Sequence, residues 1–315
     1  MEILLWKRKF RFSFEDFDED EVKIRVKETY KDGKRDGPWE CFGYCGILDT
    51  KGFYKNDKKE GLWEFFFKNG NIEKKGTYKD GEKNGIWEYF WENGNLKDIG
   101  AYKVGEKEGV WIKYWSAKEK IWEKTNFKNG LKHGFHEIFD NNEILSRRYN
   151  YNNGQKDGIQ RSYNVFSPFE ILSESSYKRG IKNGLFICYW SPGKLEFKKT
   201  YKDDKLEGLY EDFHENGNLR AKGSYIDGKH EGIWQFYYEN GNLKSKGVCK
   251  VGRTDGIWEY FHENGNLKTK GNYGKNYSSL SIDRPEFLGI VFSKKVGDWR
   301  SFNEKGKLIN IEKYS

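Results

Sequence analysis

The sequence contains no apolar run approaching the roughly 20 residues of a membrane-crossing helix, which excludes such a span. Its opening, MEILLWKRKFRF, lacks the apolar centre of about 7 to 15 residues that a secretory signal needs, so a cytoplasmic protein is expected. Cysteines number only 4 in 315 residues (Cys41, Cys45, Cys188 and Cys249), which fits reduced thiols better than a disulfide framework. The 5 histidines, His133, His136, His214, His230 and His262, show no metal-ligand spacing. No Ser-His-Asp set or carboxylate pair stands out from the background. Glycine-rich stretches such as KDGEKNG lack the following helix and the Lys-Ser/Thr of a phosphate-binding loop. These absences predict a protein with no metal, no cofactor and no enzymatic activity.

What the chain has in excess is aromatic rings, at 18% of residues, beside 34% charged residues and a mean hydropathy of -0.98. So many rings exclude a disordered polar chain. The net charge of +8 is spread through interspersed signs, which reads first as a solvated surface. The acidic run EDFDEDE (Glu15 to Glu21) reads as a solubilising turn between strands.

The rings are periodic. The pattern aromatic-x-x-Gly-x-x-x-Gly-x-Trp occurs as YKDGKRDGPW (Tyr30 to Trp39), YKDGEKNGIW (Tyr78 to Trp87) and YIDGKHEGIW (Tyr225 to Trp234). The tryptophan position falls at Trp39, Trp63, Trp87, Trp111, His136, Gln160, Phe186, Tyr210, Trp234, Trp258 and Trp299, mostly 24 residues apart, giving eleven repeats. Each unit carries an apolar run followed by Asn-Gly, as at Asn69-Gly70, which predicts a β-hairpin with a two-residue type I′ turn. That register sets Trp63 opposite Gly76, Glu64 opposite Lys75 and Phe67 opposite Ile72. A glycine thirteen residues after the tryptophan position, as at Gly52, Gly76, Gly100, Gly223, Gly247 and Gly271, would then accept the opposing ring. Repeat four departs from this, with Trp111 opposite Lys124. The segment Lys79 to Gly85 is read as the loop between hairpins.

The expected fold is all-β: an elongated, single-layer antiparallel meander of about eleven 24-residue hairpin repeats, since one hairpin alone is marginal in water. Residues 1–29 are expected to form an N-terminal capping hairpin, 30–274 the repeats, and 275–315 a final repeat with an insertion and a C-terminal cap. The insertion, around Tyr277 to Ser293, is expected to plug the open end of the sheet, because an exposed edge strand invites aggregation.

Units such as GIWEYFHENGNLKTKGNY (Gly256 to Tyr273) resemble the bacterial variant of the MORN repeat, the one found in YwqK-type antitoxin proteins. The resemblance covers nearly all of the chain and implies a hairpin meander and an antitoxin-like role. With no catalytic constellation, it points to a scaffold that neutralises a partner protein, such as a toxin, by occupying its surface. Two other readings stand beside it. One is docking on anionic membrane or nucleic acid through basic loops containing Lys55, Lys58, Lys59, Lys79 and Lys83; the other is the choline- or glucan-binding type of aromatic hairpin repeat. Function tends to sit where repeats depart from their pattern. The partner-binding candidates are therefore Trp115, Trp122, Arg147, Arg148, Arg161, Tyr163, Phe166, Phe169 and Trp190, because aromatics and arginine are enriched in binding hot spots.

Overall fold

The computed structural model describes residues 2–5, 8–17, 21–43, 46–116, 120–167, 170–274 and 288–315, with side chains from Arg25 onward. The described residues form strands and no helix. The chain divides into two compact units, Met1–Gln155 and Lys156–Ser315. In the first, strands run from Glu2–Leu5 to Leu145–Asn152, each paired antiparallel with its neighbour in sequence. In the second, the same meander runs from Gly158–Tyr163 to Leu308–Tyr314.

Two kinds of turn alternate, and their types are exchanged relative to the sequence expectation. The two-residue type I′ turn lies inside the supposed connecting loop, at Asp80-Gly81, where φ is +53° and +90° and Lys79 pairs with Glu82. At Asn69-Gly70 only the glycine has positive φ, at +85°. There the Phe67 amide donates to the Asn71 carbonyl at 2.8 Å, so Lys68, Asn69 and Gly70 form a three-residue turn. The ladder slips one residue, and Phe66 rather than Phe67 faces Ile72. Asn69 is held by its own side chain: its Oδ1 accepts the Asn71 amide at 3.0 Å while its Nδ2 donates to the Glu92 carbonyl at 3.0 Å. The asparagine thus staples one hairpin to the next. Asn93, Asn216, Asn240 and Asn264 do the same in their own repeats.

The opposite sheet margin has its own staple. Glu60, Glu108, Glu207 and Glu231 accept the first amide of the following I′ turn, at Asp80, Asn129, Asp227 and Val251, at 2.8 to 3.0 Å.

The tryptophans form the core of one sheet face. Trp63, Trp87, Trp234 and Trp258 are 0% exposed. Backbone pairing sets Trp63 opposite Gly76 and Glu64 opposite Lys75, as the sequence register requires. The ring lying over Gly76, however, belongs to Trp87 on the next strand: a Cβ at Gly76 would stand 2.5 Å from Trp87 Cγ and Cε2. Gly52, Gly100, Gly223, Gly247 and Gly271 likewise lie under Trp63, Trp111, Trp234, Trp258 and Trp299. The glycine therefore accompanies the tryptophan of the following repeat, which removes the anomaly of repeat four. Trp111 is paired with Thr125, not Lys124, and the residue on the far side of Thr125 is His136. An imidazole in place of an indole leaves room for a side chain at that position. Thr125 Oγ1 occupies the room, 2.7 Å from His136 Nδ1 and 2.9 Å from Glu123 Oε1.

Each indole also closes a gap in the ladder. Between Gly76 and Tyr78 the pairing jumps, with Gly85 at φ +84° on the bulged side. Trp87 Nε1 donates to the Thr77 carbonyl there at 3.1 Å, and the equivalent bond recurs at Trp63, Trp111, Trp234, Trp258 and Trp299. Rings continue across the strands in contact, Trp63 to Phe65 to Trp87 to Tyr89 to Trp111, with Tyr78 edge-on to Trp87 at 5.1 Å. Such contacts contribute about 0.5–1.5 kcal/mol each beyond area burial.

At the C-terminal side, the described part of the insertion does not plug the sheet end. Ile290 and Phe292 are buried on the tryptophan face, with Phe292 against Trp258 and Tyr273. Two further strands, Lys295–Phe302 and Leu308–Tyr314, follow it, and the latter is a largely exposed strand. The aromatic surface offers Phe292 more apolar contact than a polar strand edge would. Residues 275–287 of the insertion lie outside the described residues.

Candidate protein-binding surfaces

The face opposite the tryptophans carries an unburied apolar row. In each strand the residue just before the tryptophan position points there: Leu62, Ile86, Val110 and Phe135 in the first unit, and Ile159, Leu185, Leu209, Ile233 and Ile257 in the second. Each is between 45% and 66% exposed. Alternation within the strand places them beside a charge ladder, since Leu62 and Glu64 share a face with Thr77 and Lys75. The ladder neutralises itself through Lys51–Glu64 at 2.6 Å, Lys75–Glu88 at 2.9 Å, and Glu259 between Lys246 at 3.0 Å and Lys270 at 2.9 Å. These partly exposed pairs contribute little stability, roughly 0–1 kcal/mol each, but they leave a surface of balanced charge and exposed aliphatics. This row was missed in the sequence. Its signal was present as the recurring aliphatic between glycine and tryptophan in GLW, GIW and GVW.

The sequence candidates are dispersed among the repeats. In the first unit Trp115 and Trp122 meet, with ring centroids 5.7 Å apart. Arg147 is exposed, whereas Arg148 is committed: its Nε donates to Glu137 Oε1 at 2.8 Å and its guanidinium lies 5.2 Å from the Phe135 ring. In the second unit Arg161 Nε donates to Glu174 at 2.7 Å, and that bond raises its already high pKa. Tyr163 hydrogen-bonds the same guanidinium. Phe166, in the segment joining Tyr163 to Glu170, is 93% exposed. Trp190 donates from Nε1 to the Phe213 carbonyl at 3.2 Å, a hairpin staple that His214, Tyr238 and His262 repeat in later units. Phe169 lies outside the described residues. Arg148 thus borders the aliphatic row of the first unit and Arg161 that of the second, while Trp190 is tied to the scaffold.

On the tryptophan face of the first unit, three lysines lie over the indoles. The Nζ atoms of Lys59, Lys83 and Lys107 stand 4.2, 4.2 and 3.8 Å from the ring centroids of Trp63, Trp87 and Trp111. Burial of each ammonium lowers its pKa. Around Lys59 and Lys83 the neighbouring charges, Lys74 foremost, are also cationic and act in the same direction. Among the described residues no group of three or more His, Cys, Asp or Glu is arranged to hold a metal ion, and no helix is long and apolar enough to cross a membrane.

This architecture is that of a repeat scaffold built from stacked hairpins. Five of its segments, 59–80, 83–103, 206–227, 231–248 and 254–275, match the MORN repeat variant. No curated protein matches it. Among solved structures it is similar to a chain in a crystal structure of TcdB2-TccC3-Cdc42, at 10% identity and a TM-score of 0.18, over 98% of this chain and 17% of that one. At those values the likeness carries no argument about fold or function.

Proposed function

We propose that the chain is a non-enzymatic protein-binding scaffold of the antitoxin or immunity type, which neutralises a partner protein by covering its surface. One observation carries this reading: in each unit, a row of half-exposed aliphatics repeated beside a ladder of ion-paired charges. A monomeric soluble protein rarely leaves aligned apolar side chains uncovered, and such rows mark interaction sites. In the first unit Arg148 would form the polar rim of the row with Arg147 as an exposed contact, and in the second Arg161 would do so with Phe166 beside it. Trp115, Trp122, Tyr163, Phe169 and Trp190 belong to the proposal as neighbours of the irregular turns.

The test is affinity capture from native cells at low and high salt, with wild-type protein and with Ile233→Asp/Ile257→Asp. One stoichiometric protein that resists salt and is lost with the double variant supports the reading. A salt-sensitive mixture of nucleic acid or lipid, or capture unchanged by the substitutions, overturns it.

A further inference from the structure

The tryptophan face of the first unit is chemically unlike the aliphatic face and defines a second surface. Lys59, Lys83 and Lys107 recur every 24 residues, two strands apart, so their backbones stand about 10 Å from one another along the sheet. Among the described residues no carboxylate lies within ion-pairing distance of these three ammonium groups, Lys83 instead donating to Tyr89 Oη at 2.9 Å, whereas Lys51, Lys75, Lys246 and Lys270 on the opposite face are ion-paired. Lys74 adds a fourth cation 4.8 Å from the Phe65 ring, which Lys59 shares at 5.4 Å. Among the described residues Lys74 itself is paired only with Glu73, at 3.5 Å. Lys59, Lys74 and Lys83 thus gather like charge over an aromatic floor, an arrangement that favours an anionic partner, while Lys107 also feels Asp98 and Glu123 from beyond ion-pairing distance.

The second unit shows what this face accepts. In repeats nine and ten the lysine position holds His230 and Thr254, and a segment of the chain itself lies there. The Thr254 amide donates to the Val291 carbonyl at 3.0 Å, the Val291 amide donates to the Gly252 carbonyl at 3.1 Å, and Ile290 and Phe292 fill the space above the rings. Where the lysine is absent, a segment bridged in parallel to the strand Arg253–Phe261 lays the apolar side chains of Ile290 and Phe292 on the aromatic face.

We propose that the tryptophan face of the first unit is a docking site for an acidic polypeptide segment that crosses the strands, with carboxylates about 10 Å apart meeting Lys59, Lys83 and Lys107. On an α-helix that spacing corresponds to every seventh residue, since seven residues rise about 10.5 Å. The site goes beyond the aliphatic surface proposed above, and either can fail without the other.

The experiment titrates two fluorescent alanine-based helical peptides of 22 residues and equal charge into the full chain. One carries glutamates at every seventh position, and the other has the same glutamates in consecutive positions. The variant Lys59→Met/Lys83→Met/Lys107→Met keeps the aliphatic stems on the rings. The control Lys55→Gln/Lys58→Gln/Lys79→Gln removes the same charge from exposed turn lysines. The seven-spaced peptide should bind several-fold tighter than the clustered one, lose roughly tenfold with the methionine variant, and change less than about twofold with the control. Tryptophan fluorescence establishes that the variants are folded. Equal affinity for the two peptides, or equal losses in the two variants, overturns the proposal. So does tighter binding of a short single-stranded RNA or of phosphatidylserine vesicles that disappears with the methionine variant, because the lysines would then serve a nucleic acid or a membrane.

Discussion

Replacing Gly76 with alanine tests which ring the strand glycine serves. Gly76 is not at positive φ, so alanine fits its backbone, and the cost comes from the added Cβ, which would meet the Trp87 ring at 2.5 Å and closer. Trp87 is 0% exposed and cannot swing into solvent without breaking its bond to the Thr77 carbonyl at 3.1 Å. Overpacking of this kind costs about 1–3 kcal/mol and the strained hydrogen bond about 1 kcal/mol more. Reduced freedom of the unfolded chain offsets roughly 0.4–1 kcal/mol. The net expectation is about 1–3.5 kcal/mol of destabilisation. It is read as a lower urea midpoint together with faster amide exchange on the strands Ile72–Lys79 and Glu82–Phe90, because repeat arrays open locally. The chain supplies its own mild background, since His136 stands over Thr125 where tryptophan and glycine stand elsewhere. In a Trp87→His chain Gly76→Ala should become neutral or slightly stabilising, while in a Trp63→His chain its full cost should remain. Persistence of the cost in the first background and its disappearance in the second would refute the assignment.

Further outcomes follow from the same geometry. Glu231→Ala frees the Val251 amide, now held at 2.8 Å, and should speed its hydrogen exchange with a stability loss of about 1 kcal/mol. Burial keeps the His230 imidazole neutral, with its pKa pushed down from 6.5 to about 4. The unfolded chain therefore takes up a proton that the folded chain refuses, so stability is complete above about pH 6.5 and declines as pH falls toward 4, by at most about 3 kcal/mol. His230→Phe should flatten that part of a stability–pH curve. Cys249 is 0% exposed and burial pushes its thiol pKa up, so a thiol reagent at pH 8 should modify it far more slowly than the partly exposed Cys41; equal rates would contradict the packing.

The sequence by itself determined the repeat, the all-β class, the strand alternation and the pairing of Trp63 with Gly76 and Glu64 with Lys75. These rest on covalent periodicity and on the two-residue period of a strand, both written along the chain. It also held the aliphatics before each tryptophan, although their exposure could not be read from type alone. Tertiary structure decided matters between strands that are not joined by the turn being read. Asn69-Gly70 has the composition of a type I′ turn, but the next hairpin offers the Glu92 carbonyl, and that bond favours a longer turn while the I′ geometry falls at Asp80-Gly81. Gly76 has tryptophans on both neighbouring strands, and only the packing shows that Trp87 lies over it. Likewise, the seating of Ile290 and Phe292 on the rings follows from a surface assembled across several strands, since no single hairpin contains the contacts that hold them.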